Sequence, residues 1–180
     1  MIIGLCGLAR SGKDTFFRFC ESLNFNENPS IRLAFADQLK FELDDFLLKN
    51  FKISAFTENS SEKEIIRPTL VGYGMSKRKS SNGMYWVKKL ETEIIKKEKT
   101  HNCFITDVRF SNEVDEIKKW GGICIHIERF GNPPANDEEK NEDPFVKAKS
   151  DFHFKWNDLY KENQDNIKQR ISNILLQQNE

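Results

Sequence analysis

Ile2-Ile3-Gly4-Leu5-Cys6 runs directly into Gly7-Leu8-Ala9-Arg10-Ser11-Gly12-Lys13-Asp14-Thr15, and Phe16, Phe17, Phe19, Cys20 and Leu23 follow on the inner side of a helix. A buried strand, a glycine-bounded loop and a helix in this order constrain a chain strongly, because the helix must return over the face of a parallel sheet. The two glycines let backbone N–H groups wrap an anion, the following helix points its positive end at it, and a lysine at position 13 can bridge two phosphates. Gly7, Ala9, Arg10, Ser11, Gly12, Lys13, Asp14 and Thr15 are therefore the candidate nucleotide-binding set. Asp14 stands where such a loop usually offers Mg²⁺ a hydroxyl. A carboxylate there can ligate the ion directly or through water, and Thr15 can supply the hydroxyl instead.

The remainder of the chain repeats the strand and helix alternation. Ser30 to Phe35 predicts a second strand, and Asp37 an N-cap before Leu39, Leu43, Phe46 and Leu47 at helical spacing. Phe51 to Ser61 reads as loop. Ser61 to Glu64 resembles a capping box, Pro68 should disturb or restart the helix that follows, and Gly72, Gly74 and Gly83 punctuate the segment. Tyr85 to Lys97 predicts a helix with a solvated lysine face. Cys103 to Val108 and Ile123 to Ile127 predict strands on either side of a helix over Asn112 to Trp120. Phe130 to Ser150 reads as a loop or insertion whose acidic cluster, Asp137 to Asp143, is solvated; Phe152 to Trp156 predicts a last strand and Leu159 to Leu176 a closing helix.

A chain of 180 residues suits one domain with an insertion. Its 28 basic and 28 acidic side chains cancel, so no global field holds a nucleic acid, and stable nucleic-acid binding is not expected. No signal peptide or membrane span is evident, and a soluble cytoplasmic protein is expected. Cys6, Cys20, Cys103 and Cys124 have no paired spacing and read as reduced core thiols. His101, His126 and His153 lack metal-ligand spacing.

Phe104-Ile105-Thr106-Asp107 sets a carboxylate at the carboxyl end of an apolar strand, where open α/β sheets form their ligand crevice. Asp107 is a partner for magnesium-bound water or an acceptor group, and the alternative is a helix cap. Arg109 would project near the same crevice, and Arg67 and Arg78 flank the glycine-punctuated segment. Arginines of this kind suit phosphoryl transfer, whose charge is stabilised by donors brought in on closure.

Taken together, these segments resemble the deoxynucleoside monophosphate kinases of bacteriophages, a branch of the P-loop nucleotide kinases. Gly12-Lys13-Asp14-Thr15 is similar to the spelling that family tends to carry. Leu33-Ala34-Phe35-Ala36-Asp37-Gln38-Leu39-Lys40 resembles its Phe-Ala-Asp-x-Leu-Lys stretch. Arg67, Leu70, Gly74 and Arg78, followed by Trp86, resemble its acceptor and lid region. Asp107-Val108-Arg109-Phe110-Ser111-Asn112-Glu113, with Gly121-Gly122 and Ile127-Glu128-Arg129, is similar to its Asp-x-Arg-Phe-x-Asn-Glu block. The resemblance extends to about Phe130. Val71 stands where many relatives have Gln, and the tail lacks a His-x-Ser-Glu-like segment, so base selectivity is not legible.

The resemblance implies a three-layer nucleoside-monophosphate-kinase-like α/β fold, a central parallel sheet flanked by helices. It also implies a core over about residues 1–50 and 100–180 and a helical acceptor and lid insertion over about 51–99. It implies transfer of the ATP γ-phosphoryl group to a (deoxy)nucleoside monophosphate, with ATP and Mg²⁺ as cofactors and a homodimer as a possible assembly. Lys13, Arg67, Arg78, Asp107 and Arg109 would be catalytic. Asp37, Lys40, Arg67, Arg78 and Trp86 would bind the acceptor, and Asp14 or Thr15 with Asp107 would organise the metal. The alternatives are another small-molecule P-loop kinase, of the dephospho-coenzyme A kinase or phosphomevalonate kinase type, and a non-catalytic nucleotide-binding interaction protein.

Overall fold

The computed structural model describes residues 1–23, 26–157 and 163–177. In chain order the elements are β1 (Ile2–Cys6), α1 (Lys13–Leu23), β2 (Ser30–Leu33), α2 (Phe35–Phe51), α3 (Ser60–Ser80) and α4 (Met84–Lys97), then β3 (Asn102–Val108), α5 (Ser111–Lys119), β4 (Ile123–Arg129), α6 (Asp137–Lys149), β5 (Phe152–Trp156) and α7 (Gln164–Leu176). The five strands form one parallel sheet in the order β2-β3-β1-β4-β5. This is the α/β fold with a central parallel sheet flanked by helices that the sequence predicts.

The chain divides into two compact units. The first joins Met1–Leu33 to Ile94–Glu180, and the second is Ala34–Glu93. In the first unit β1 is buried along its whole length, as expected of a strand with a helix layer over each face. On one side Ile3, Leu5, Phe104, Ile125, Ile127 and Phe154 meet Phe16, Phe17 and Cys20 of α1 and Ile167, Ile171 and Leu175 of α7. The register between β1 and β3 pairs Gly4 with Ile105 but Cys6 with Val108, so β3 carries one extra residue around Thr106 and Asp107. Such a bulge re-aims the side chains next to it.

In the second unit Leu43 and Leu47 of α2 pack with Ile53, Ala55 and Ile66. Helix α2 lies wholly within this unit, which begins at Ala34. Glu42 is the polar centre of this unit. Its carboxylate accepts from the Tyr73 hydroxyl at 2.5 Å and the Tyr85 hydroxyl at 2.8 Å, and it pairs with Lys77 and Lys89. Burial pushes its carboxyl up, but the bonds from Lys89, Tyr73 and Tyr85 prevail and hold it down at about 2.

Several local expectations are corrected. Helix α2 begins at Phe35 behind an Ala34 cap, so Asp37 lies in its first turn rather than at its cap. The N-cap of α3 is Asn59, whose side chain accepts from the Ser61 N–H at 2.9 Å, and α3 runs through Pro68 without ending. Ile66 on one side of Pro68 is buried in the unit's core and Leu70 on the other packs against it, which holds the helix together. The largest correction is α6, in a stretch expected to be loop. Asn136 caps it, Asp137, Glu138 and Glu139 fill its first turn and Lys147 and Lys149 its last, a charge order that suits the helix dipole. Helix α7 starts at Gln164 behind an Asn163 cap; Leu159, the expected start, lies outside the described residues.

Candidate active site

The loop between β1 and α1 depends on two glycines. Gly7 has φ +117°, and a Cβ there would lie 2.4 Å from the Ile127 carbonyl oxygen. Gly12 has φ +93°, and its Cβ would lie 2.5 Å from Trp156 Nε1. Both positions exclude a side chain on conformational and steric grounds. The same indole N–H donates to the Ser11 carbonyl at 2.9 Å, so the last residue of β5 buttresses the loop. Arg10 also has a positive φ of 63°. The Ser11 N–H bonds the Leu8 carbonyl and the Phe16 N–H bonds the Gly12 carbonyl, which closes the loop and starts α1.

Lys13 is 8% exposed and folds back over this loop. Its Nζ donates to the carbonyls of Gly7 and Leu8, each at 2.7 Å. Burial, then the Arg109 guanidinium, lowers its pKa to about 8, while Glu139, Asp107 and Cys6 oppose the fall. Asp107, Arg109 and Glu139 are thus close enough for Lys13 to sense their charges. Asp107 is half-buried at the bulged end of β3. Arg109 is held by the corner that follows, where the buried Glu113 carboxylate accepts from the N–H groups of Arg109 at 2.9 Å and Phe110 at 3.1 Å.

Asp14 faces outward on the first turn of α1, its carboxylate 3.5 Å from Arg32 Nε on β2. Thr15 follows it on the same turn. Among the described residues no group of three or more His, Cys, Asp or Glu side chains could cage a metal. The donors near the loop are nevertheless hard oxygens, Asp14, Thr15 and Asp107, and Mg²⁺ keeps several waters and needs only one or two protein carboxylates beside phosphate oxygens. The residues fit that ion.

The segment between β4 and β5 supplies parts of the site that sequence reasoning misses. The Asn132 side-chain amide donates to the Ala9 carbonyl at 2.7 Å, and Glu139 Oε1 accepts from the Ala9 N–H at 2.7 Å. Glu139 Oε1 also lies 3.5 Å from Arg109 Nη1. The spelling Asn136-x-x-Glu139 is a capping-box signal that could have found both the helix and this carboxylate. Next to the loop, a cavity of ~200 Å³ is lined by Leu8, Ser11, His126, Asn132, Asp143 and Lys147 among others. The buried His126 ring sets Nε2 3.0 Å from Asp143 Oδ1, so Asp143, like Glu139, is engaged rather than simply solvated.

Asp37, Lys40, Arg67, Arg78 and Trp86 belong to the second unit. Within it, Asp37 pairs with Lys40 at 3.9 Å, and Lys40 Nζ sits 5.5 Å from the Phe56 ring centroid. Arg67 is exposed on α3, and Arg78 is half-buried near its C-terminus. Trp86 is buried, donates its indole N–H to the Gly74 carbonyl at 3.1 Å and packs edge-on against Tyr85.

No protein-family model matches the sequence, and no curated protein does. Among solved structures the chain is similar to shikimate kinase from Aquifex aeolicus, with 17% identity, 99% of this chain and 98% of that chain covered, and a TM-score of 0.45. Among the described residues no helix is long and apolar enough to cross a membrane.

Proposed function

We propose that the protein is a nucleoside monophosphate kinase acting on deoxynucleotides, with ATP as donor and Mg²⁺ as its metal. The observation that carries the donor half is the loop itself: Gly7 and Gly12 in conformations only glycine adopts readily, and Lys13 folded over them beside Asp107 and Arg109. This arrangement of backbone amides, helix N-terminus and cation suits a polyphosphate. The acceptor half rests on the sequence resemblance around Asp37, Lys40, Arg67, Arg78 and Trp86.

In this reading an oxygen of the acceptor's α-phosphate attacks the γ-phosphorus, the bond from γ-phosphorus to the bridging oxygen breaks, and ADP leaves. The attacking oxygen is already anionic, so positioning and charge neutralisation matter more than a general base. Lys13 turns from the Gly7 and Leu8 carbonyls to the donor phosphates, and the loop amides hold them. Arg109 faces the transferring group, and Arg67 and Arg78 are assigned to the acceptor phosphate. Asp107, with Asp14 or Thr15, would hold Mg²⁺, which supplies neutralisation of the β and γ oxygens when bound.

The test is ADP release from ATP and Mg²⁺ with each deoxy- and ribonucleoside monophosphate in turn, with Lys13→Ala as the blank. Turnover with one or more deoxynucleotides supports the reading and gives the base preference. Turnover only with dephospho-coenzyme A, phosphomevalonate or another small acceptor moves the protein to a different kinase class. ATP binding with no transfer to any acceptor defeats the enzymatic reading.

A further inference from the structure

We infer that the Glu139 carboxylate is an intrachain stand-in for a phosphate group, occupying an anion subsite built from the Ala9 N–H and Arg109 that a nucleotide phosphate must take over. This rests on the phosphate-site reading above and adds a built-in competitor to it.

The geometry separates two tasks carried by one side chain. Asn136 already caps α6 by accepting from the Glu139 N–H at 2.8 Å, and Glu139 Oε2 accepts from the Ala135 N–H at 2.7 Å just upstream. Those bonds complete the helix start, and one carboxylate oxygen suffices for them. Oε1 instead reaches across to the Ala9 N–H at 2.7 Å, 130 residues away in sequence, with Arg109 Nη1 at 3.5 Å. A backbone donor from a glycine-bounded loop and an arginine meeting one anionic oxygen are the donor chemistry of a phosphate site.

Glu139 is also only 6% exposed, and a buried carboxylate is held only where donors and cations compensate its lost hydration. A phosphate bonded to the Ala9 N–H would meet this carboxylate at contact distance, with like charges in a place shielded from water. The two anions exclude each other. The rest of the segment is anchored independently, by Asn132 on the Ala9 carbonyl and by Asp143 on His126. Displacement therefore involves the first turn of α6, and it releases Arg109 for the incoming phosphate.

The experiment titrates ATP and inorganic pyrophosphate into the full chain by calorimetry, comparing wild type, Glu139→Gln and Asp137→Asn. Gln keeps an oxygen for the Ala135 N–H and loses the charge. Asp137, exposed in the same helical turn, controls for general loss of negative charge. Glu139→Gln is expected to bind both ligands about tenfold more tightly, the gain that follows if the occupied form holds about nine-tenths of the population. Asp137→Asn is expected to change affinity less than about twofold. Unchanged or weaker binding by Glu139→Gln, or equal tightening in both variants, overturns the inference.

A second measurement on wild type decides the matter if the variant does not fold. As pyrophosphate is added, the amide resonances of Ala9 and Ala135 are expected to shift together with one midpoint, because both N–H groups lose the same carboxylate. A shift at Ala9 with Ala135 unmoved overturns the inference while leaving the phosphate site intact. Failure of wild type and Glu139→Gln alike to bind either ligand defeats the phosphate-site reading itself, and this inference with it.

Discussion

Lys13 shows how burial sets a side chain's titration range. Folded, it titrates near 8 rather than at its ordinary 10.5, so the native state binds its proton less well than the unfolded chain does. Stability from this group therefore rises with pH between about 8 and 10.5, as the unfavourable buried charge is relieved. Lys13→Met is expected to be more stable than wild type near neutrality, by on the order of 1–3 kcal/mol. That advantage should shrink as denaturation is repeated towards pH 10. Function runs the other way: ATP affinity of wild type is expected to fall as pH rises past about 8, where the unliganded lysine loses its charge. Calorimetry from pH 7 to 9.5 checks this, and Lys13→Met should bind weakly with no such slope. Lys13→Ala should cost about 10²–10³-fold in turnover, the usual scale for removing a charged donor from a transition state.

At the scale of elements, the sheet and the loop were legible and the cover over the loop was not. The central strands β1, β3 and β4 read plainly because both their faces are largely buried, so their residues are apolar in runs such as Ile2-Ile3 and Phe104-Ile105. Gly7, Gly12 and Lys13 read plainly because their chemistry is local to a few adjacent residues. Helix α6 has only Glu139 and Val146 buried, so it offers no apolar period, and its one local signal is the Asn136 to Glu139 cap spelling. What holds it is capping and long-range polar contact, and neither Glu139 to Ala9 nor Asn132 to Ala9 has a signature in sequence spacing. The Trp156 buttress was equally invisible, since the strand pattern says nothing about what an indole N–H will meet. Trp156→Phe keeps an aromatic ring but a smaller one in a fully buried position, and it leaves the Ser11 carbonyl without its donor. It is expected to lower stability by about 2–4 kcal/mol, the lost hydrogen bond and the cavity together, and to weaken ATP binding, measured by urea denaturation and calorimetry on the same preparation.

At the scale of the whole molecule, two units meet their needs differently. The first is held mainly by apolar packing on a sheet; the second surrounds a polar hub at Glu42 as well as a small apolar core. Because Glu42 is held near 2 in the fold against an ordinary 4.5, its stabilising effect is complete above about 4.5 and is lost as pH falls towards 2. Glu42→Gln is expected to melt at a lower temperature than wild type at pH 7. The gap should close as the scan is repeated between pH 4.5 and the acid limit, and an unchanged gap at low pH would remove Glu42 from this role.

The loop bounded by Gly7 and Gly12 is translated well before the strands that flank and support it. Cys103 pairs with Ile2, Ile123 with Ile3, and Trp156 supports Ser11 and Gly12 from the final strand. At ribosomal rates of about 5–20 residues per second, roughly seven to thirty seconds separate synthesis of the loop from synthesis of its buttress. A nascent chain halted before β5 would carry the full glycine and lysine spelling without the Trp156 bond that supports it. On the proposed reading, nucleotide capture therefore waits for the synthesis of β5.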